Sequence, residues 1–149
     1  MTFLRNGTRL KTSEKQKQSE EHRWLMLNSV KTFRKWGYQV KHRCFGVEGL
    51  FIASDYGMVK DNRFYFVECL TLGTPIPAIR KKLKLSQYAP VWFVISEGNK
   101  STASFLGHHP LILKMPVTGH PFIDRRKFLE EFDTELKYNN HQFVRSVGR

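Results

Sequence analysis

The dipeptide Asp61-Asn62 constrains the fold more than any other feature of the chain. It separates two stretches, Leu50 to Val59 and Arg63 to Thr71, that are rich in aromatic and β-branched residues, and turn residues between two such runs read as a β-hairpin. If the turn holds only those two residues, Lys60 pairs with Arg63 and Val59 with Phe64, and by continuation Asp55 falls opposite Glu68. A further strand-like stretch, Tyr38 to Phe45, precedes the hairpin across Gly46 to Gly49, so the three runs form an antiparallel meander.

Helical periodicity frames this meander. Ser13 and Gln16 have the spacing of a capping box, Met26, Val30 and Phe33 then fall on one face, and the helix runs from Ser13 to Trp36 and stops at Gly37. Its early turns carry Lys15, Lys17, Glu20 and Glu21 without apolar partners, so that half is exposed or rests on another chain or ligand. After the meander, Thr74 is placed to cap a helix with Pro75 in its first turn; Ile76, Ile79 and Leu83 line one side, Arg80, Lys81 and Lys84 the other, to about Ala89. Val91 to Ile95 is an uninterrupted apolar run, as expected of a central strand covered on both faces. Ser101 to Leu106 and Leu111 to Val117 read as strands or loops, and Asp124 caps a final helix containing Phe128, Leu129, Phe132 and Leu136. The expectation is an α/β (α+β) fold: a central mixed sheet with an α-β-β-β-α-β core flanked by helices, plus a C-terminal helix. Residues 1–149 form one domain in this reading, with flexible tails at 1–12 and 140–149.

A chain of 149 residues buries about 70% of its unfolded surface as one domain, enough for a core without staples. The excess of 25 Lys and Arg over 13 Asp and Glu gives a formal charge of +12, which favours a polyanionic partner: nucleic acid, acidic protein or anionic membrane. No apolar run approaches the ~20 residues of a membrane span, and the N-terminus lacks the apolar stretch of a signal peptide. A cytoplasmic protein is expected, in the host cell if the chain is viral. Cys44 and Cys69 lie in strand-like segments without CxxC spacing and read as buried reduced thiols; a zinc site would need scattered partners such as His42 or His120. His108 and His109 lie in a loop and His141 in a polar stretch, and neither group reads as a ligand.

The hairpin brings two carboxylates together. Directly opposed Cβ atoms lie about 4.5–5.5 Å apart, where like charges repel by roughly 3 kcal/mol at an effective dielectric near 20. A cation between Asp55 and Glu68 removes that repulsion, and Mg²⁺ uses one or two carboxylates while keeping positions for waters and phosphate oxygens. The alternatives are that Asp55 marks a bulge or faces solvent, or that a one-residue slip puts the two groups on opposite faces.

The segment Phe51 to Thr71, FIASDYGMVKDNRFYFVECLT, resembles the core of the PD-(D/E)XK nucleases: an Asp on one strand, a hairpin, then an acidic residue on the next. The likeness extends over about Glu20 to Ile95 and implies a restriction-endonuclease-like fold. It implies that Asp55 and Glu68 are catalytic and hold Mg²⁺ or Mn²⁺, that the main-chain carbonyl of Cys69 is a further metal ligand, and that Glu21, with Glu20 competing, is the acidic residue of the first helix. Two departures stand out: Ser54 occupies the place of the family's Pro, and Leu70 the place of its Lys. That Lys positions or activates the attacking water, and relatives recruit one from the following helix. There Lys81, Lys82 and Lys84 are the candidates, and only one bordering the Ile79/Leu83 stripe points back at the sheet, which favours Lys82; the alternative is that all three, with Arg80, form a solvated basic face that grips phosphates outside the chemistry.

Arg80, Lys81, Lys84 and Lys60 then read as nucleic-acid-binding, and Arg5, Arg9, Lys11, Lys15 and Lys17, with Arg125, Arg126 and Lys127, extend a phosphate track. The activity implied is a metal-dependent nuclease hydrolysing DNA phosphodiester bonds, with plain or branched DNA, or RNA, as partner. A homodimer would suit cleavage of both strands. The alternative, favoured by Leu70, is a catalytically inactive nucleic-acid-binding module serving replication, repair, recombination or transcription. A third reading is a structural or protein-interaction domain whose Asp55 and Glu68 are plain surface carboxylates.

Overall fold

Asp61 and Asn62 both lie in the left-handed region, with φ of 53° and 63°. A two-residue turn that follows the twist of its strands needs that conformation, and short polar side chains tolerate it. The computed structural model describes residues 12–43, 46–47, 54–116, the positions 126, 128 and 130, and 143–144. In order these give α1 (Thr12–Lys35), β1 (Gln39–Arg43), β2 (Gly46–Val47), β3 (Tyr56–Lys60), β4 (Arg63–Cys69), α2 (Ile76–Leu83), a 3₁₀ turn (Lys84–Gln87), β5 (Val91–Ser96), α3 (Lys100–Leu106), β6 (Ile112–Met115) and β7 (Phe143–Val144). The architecture is mixed α/β around a five-stranded mixed sheet of order β1-β3-β4-β5-β6. The β1, β3 and β4 strands are antiparallel, as the meander requires, while β5 and β6 continue the sheet in parallel. Hairpin pairing runs from Lys60 opposite Arg63 to Tyr56 opposite Val67, the register expected of a two-residue turn.

Alternation along the central strands divides the core into two layers. Val67 and Cys69 of β4 and Val94 of β5 face α1, where Leu25, Val30 and Phe33 are fully buried with Met58. The intervening Phe66 and Leu70, with Phe93 and Ile95, face α2 and α3 and pack on Ile79, Leu85 and Leu106. Glu68 stands between Phe66 and Leu70 on β4, so the period-two rule places a carboxylate on this second, apolar face.

α1 ends where Gly37, at φ 90°, turns the chain. The Gly37 N–H donates to the Arg34 carbonyl at 3.0 Å and the Tyr38 N–H to the Phe33 carbonyl at 3.0 Å, the paired bonds of a Schellman cap. A Cβ at Gly37 meets only the Lys60 side chain, at 3.7 Å, so the penalty for a side chain is conformational. Gly37→Ala should therefore cost about 1–2 kcal/mol in urea unfolding. An unchanged midpoint would contradict the left-handed cap.

Several expectations are corrected. Ser101 to Leu106 is neither strand nor loop but lies in α3: the Asn99 side chain accepts the Thr102 N–H at 3.2 Å and Gly107 ends the helix at φ 56°. These local stop and start signals outweigh the strand propensity of the segment. Of the strand expected from Leu50 to Val59, residues 50–53 lie outside the described part; within it, Ser54 and Asp55 are not strand, the Ser54 hydroxyl bonding the Tyr56 carbonyl at 2.9 Å where the chain bends at Asp55, and β3 starts at Tyr56. β4 ends at Cys69 rather than Thr71, since Thr71 enters a turn closed by the Thr74 N–H on its carbonyl. Thr74 does not cap α2: the N-cap is Pro75, and the Thr74 hydroxyl accepts the Thr71 N–H instead. The α-helix ends at Leu83 and only a 3₁₀ turn continues towards Ala89. Within the segment read as a C-terminal tail, Phe143–Val144 pairs in parallel with Gly46–Val47.

Of the expected final helix, positions 126, 128 and 130 are helical, and Phe128 is buried in the α1 layer. Asp124, Arg125, Lys127, Leu129, Phe132, Leu136, Cys44, Arg5, Arg9 and Lys11 lie outside what is described, whereas Lys15 and Lys17 fall in α1 and His42 in β1. Among the described residues, no helix is long and apolar enough to cross a membrane.

Candidate active site

The bend at Asp55 and the end of β4 meet at one end of the sheet, between the two helical layers. The Asp55 N–H donates to the Val67 carbonyl at 3.1 Å and lies 3.2 Å from Glu68 Oε2, so the hairpin register carries one residue beyond the regular ladder. Asp55 Oδ2 accepts the Cys69 N–H at 2.8 Å and stands 3.0 Å from Nε2 of His22 on α1. The Glu68 carboxylate, which touches the Asp55 main chain through Oε2, also meets α2, its Oε1 lying 3.4 Å from the Lys82 ammonium. Each carboxylate thus has a basic partner from a different layer. Cys69 offers its main chain to Asp55 while its thiol points into the α1 layer, 3.9 Å from the Ser29 hydroxyl, which also hydrogen-bonds the Tyr56 hydroxyl.

The electrostatics are unequal. Burial tends to raise the Asp55 carboxyl, but the charge and hydrogen bond of His22, with the Cys69 N–H, hold it below the usual range. Burial likewise tends to lower the His22 imidazole, and the Asp55 carboxylate outweighs it and raises it. Glu68 is pushed well above the usual carboxylate range by burial and by the charge of Asp55, which Lys82 offsets only in part. Burial also pushes the Cys69 thiol up, reinforced by Asp55 and Glu68, so this cysteine stays protonated and is no nucleophile.

Asp55, Glu68, the Cys69 main chain and Lys82 are therefore brought together. Glu21 lies beside them but spends Oε1 on the Leu72 N–H at 2.9 Å, fixing the turn after β4. Lys81 and Lys84 are exposed, and the Arg80 guanidinium sits 5.8 Å from the Phe105 ring centroid, towards α3. Lys60 is at the opposite end of β3, where its ammonium donates to the Trp36 carbonyl at 2.8 Å and overlies Tyr38, so it caps α1 and does not belong to the site. His109 hydrogen-bonds the Val91 carbonyl at 2.9 Å, a structural contact.

His22 is the residue that sequence reasoning missed. It lies four residues before Met26, one turn up the same buried stripe as Val30 and Phe33, and an ionisable residue continuing an apolar stripe was the available signal.

No protein-family model matches the chain, and neither a curated protein nor a solved structure matches it. The site therefore rests on its own chemistry. Among the described residues, no group of three or more His, Cys, Asp or Glu side chains is placed to hold a metal ion. The donors at hand are two carboxylates, the number Mg²⁺ takes from proteins that leave its other positions to water and phosphate. Burial, and then the charge of Asp55 that Lys82 offsets only in part, disfavour the Glu68 anion. A divalent cation would offset the remainder.

Proposed function

We propose that this chain is a metal-dependent nuclease that hydrolyses DNA phosphodiester bonds on a restriction-endonuclease-like fold of the PD-(D/E)XK type. The observation that carries the reading is the Lys82 ammonium, 3.4 Å from Glu68 Oε1. It enters from the helix that follows the motif strand and supplies the charge that Leu70 does not. Held by Asp55, Glu68 and the main-chain carbonyl of Cys69, Mg²⁺ or Mn²⁺ would supply Lewis acidity, lowering the pKa of water and neutralising phosphate charge.

The chain's own residues do the rest. His22 and the Cys69 N–H orient the Asp55 carboxylate, and Lys82 sets a positive charge where negative charge builds on the phosphate. Lys81 and Lys84 extend outward from it on exposed positions to hold the DNA backbone. A homodimer acting on both strands, and a cytoplasmic setting, belong to the same reading.

The test is a gel assay of linear, circular and branched DNA with Mg²⁺, Mn²⁺ or EDTA. Wild type should cleave with either metal and not with EDTA, and Lys82→Ala should lose about 10²–10³-fold in rate. Undiminished cleavage by Lys82→Ala would remove the lysine from the mechanism.

One observation favours a second reading, a catalytically inactive DNA-binding module: Asp55 and Glu68 already have basic partners, and Leu70 is locked in the core. It predicts binding that weakens steeply with salt and no product under any metal.

A further inference from the structure

We infer that the turn after β4 and the start of α2 form an apolar lip that packs on exposed base faces, so that the substrate is DNA with unstacked bases beside the cleaved phosphate. This deepens the nuclease reading and rests on it. Three large apolar side chains are exposed among the described residues: Trp36 at the far end of α1, and Leu72 at 64% and Ile76 at 38%. The latter two flank the candidate site. Leu72 follows Cys69, whose N–H holds Asp55, by three residues, and Ile76 opens the helix that carries Lys82. Pro75 and Pro77 are exposed between and beside them, so the lip presents four apolar residues.

The lip is held in shape from within. The Thr74 N–H donates to the Thr71 carbonyl at 3.1 Å, the Thr71 N–H to the Thr74 hydroxyl at 3.0 Å, and the Leu72 N–H to Glu21 at 2.9 Å. A turn fixed by three hydrogen bonds that leaves a leucine in water contributes nothing to the core through that side chain. Its neighbours identify what covers it. α2 has no acidic residue in its first turn and three basic residues in its last, on a chain of formal charge +12, so a polyanion is the complementary partner.

Phosphates gain nothing from leucine or isoleucine, whereas bases do, and apolar side chains of this kind insert between base steps that can be opened. In an intact duplex those faces are covered by stacking. Single strands expose them, and contacts to base faces tolerate any sequence.

The experiment compares wild type with the Leu72→Ser/Ile76→Ser double variant by fluorescence anisotropy, in EDTA, on a labelled oligothymidylate and on a labelled duplex of equal length. Both side chains are exposed, so an unchanged melting temperature is expected and confirms folding. The variant should bind the single strand about tenfold more weakly and the duplex within about twofold of wild type. Undiminished single-strand affinity, or an equal loss on both probes, overturns the lip, and so does a wild type that binds neither. A selective single-strand loss in a protein that never cleaves keeps the lip and sinks the nuclease reading instead.

Discussion

Glu68→Gln is expected to abolish cleavage, by about 10³-fold or more, while leaving the protein at least as stable as the parent. The two halves of this result come from one circumstance. Glu68 is buried at 5% exposure, and its carboxyl is pushed up by that burial and by Asp55. A glutamine keeps the shape and can still accept the Asp55 N–H, but it removes the anion whose burial is unfavourable. Lys82, with its side chain 26% exposed, turns to water when its partner loses charge. Plasmid nicking and thermal melting of the same preparation give both readouts. Retained cleavage would dismiss Glu68 as a metal ligand, and a melting temperature several degrees lower would show that its anion stabilises the fold.

Without metal, the protein should become more stable as the pH is lowered from about 8 towards 5. His22 has a raised folded value, so its contribution is fully present below the ordinary 6.5 and is lost as pH rises through that folded value. Glu68, raised well above 4.5, acts in the same direction: stability is present below its ordinary value and lost as pH climbs. Asp55, held below 3.8, opposes them only in stronger acid, where protonation through its lowered value removes its contribution. Metal reverses the trend, because the ion competes with protons for the same carboxylates. At a hundredfold excess over Kd, Mg²⁺ should add about 2.7 kcal/mol, several degrees in melting temperature, at pH 8 and less at pH 5.5. Melting curves across that range, with and without Mg²⁺, check both slopes, and indifference to metal at every pH would count against the site.

Much of the fold was legible because its signals are local. Asp61-Asn62 set the turn, the turn set the register, and the register put Asp55 next to Glu68. Lys82 was favoured over Lys81 and Lys84 because a side chain bordering Ile79 and Leu83 is directed at the sheet, and its ammonium does lie beside Glu68. What the sequence hid depends on geometry across layers. Nothing local announces that Asp55 meets His22, 33 residues away on α1, since that contact exists only once the helix has docked. The bend at Ser54-Asp55 comes from a hydroxyl bonding to the chain two residues on, which strand propensity does not register. α3 is seven residues long and is announced mainly by its ends, the Asn99 cap and the Gly107 stop, rather than by periodicity within it. The pairing of Gly46–Val47 with Phe143–Val144 is two residues long and has no periodicity to detect.

Each side chain of the candidate site is delivered by a different segment: α1, the bend before β3, β4 and α2. No hairpin or helix pair contains it whole. On a ribosome, a chain emerging only as far as β4 carries both carboxylates but lacks the lysine, and the lysine in turn is seated against a sheet that β5 has still to complete. Competence at this site is therefore a late and cooperative property of the fold, acquired and lost with the domain as a unit. A half-made or half-melted copy of this strongly basic chain therefore holds side chains of the site without the geometry that brings them together.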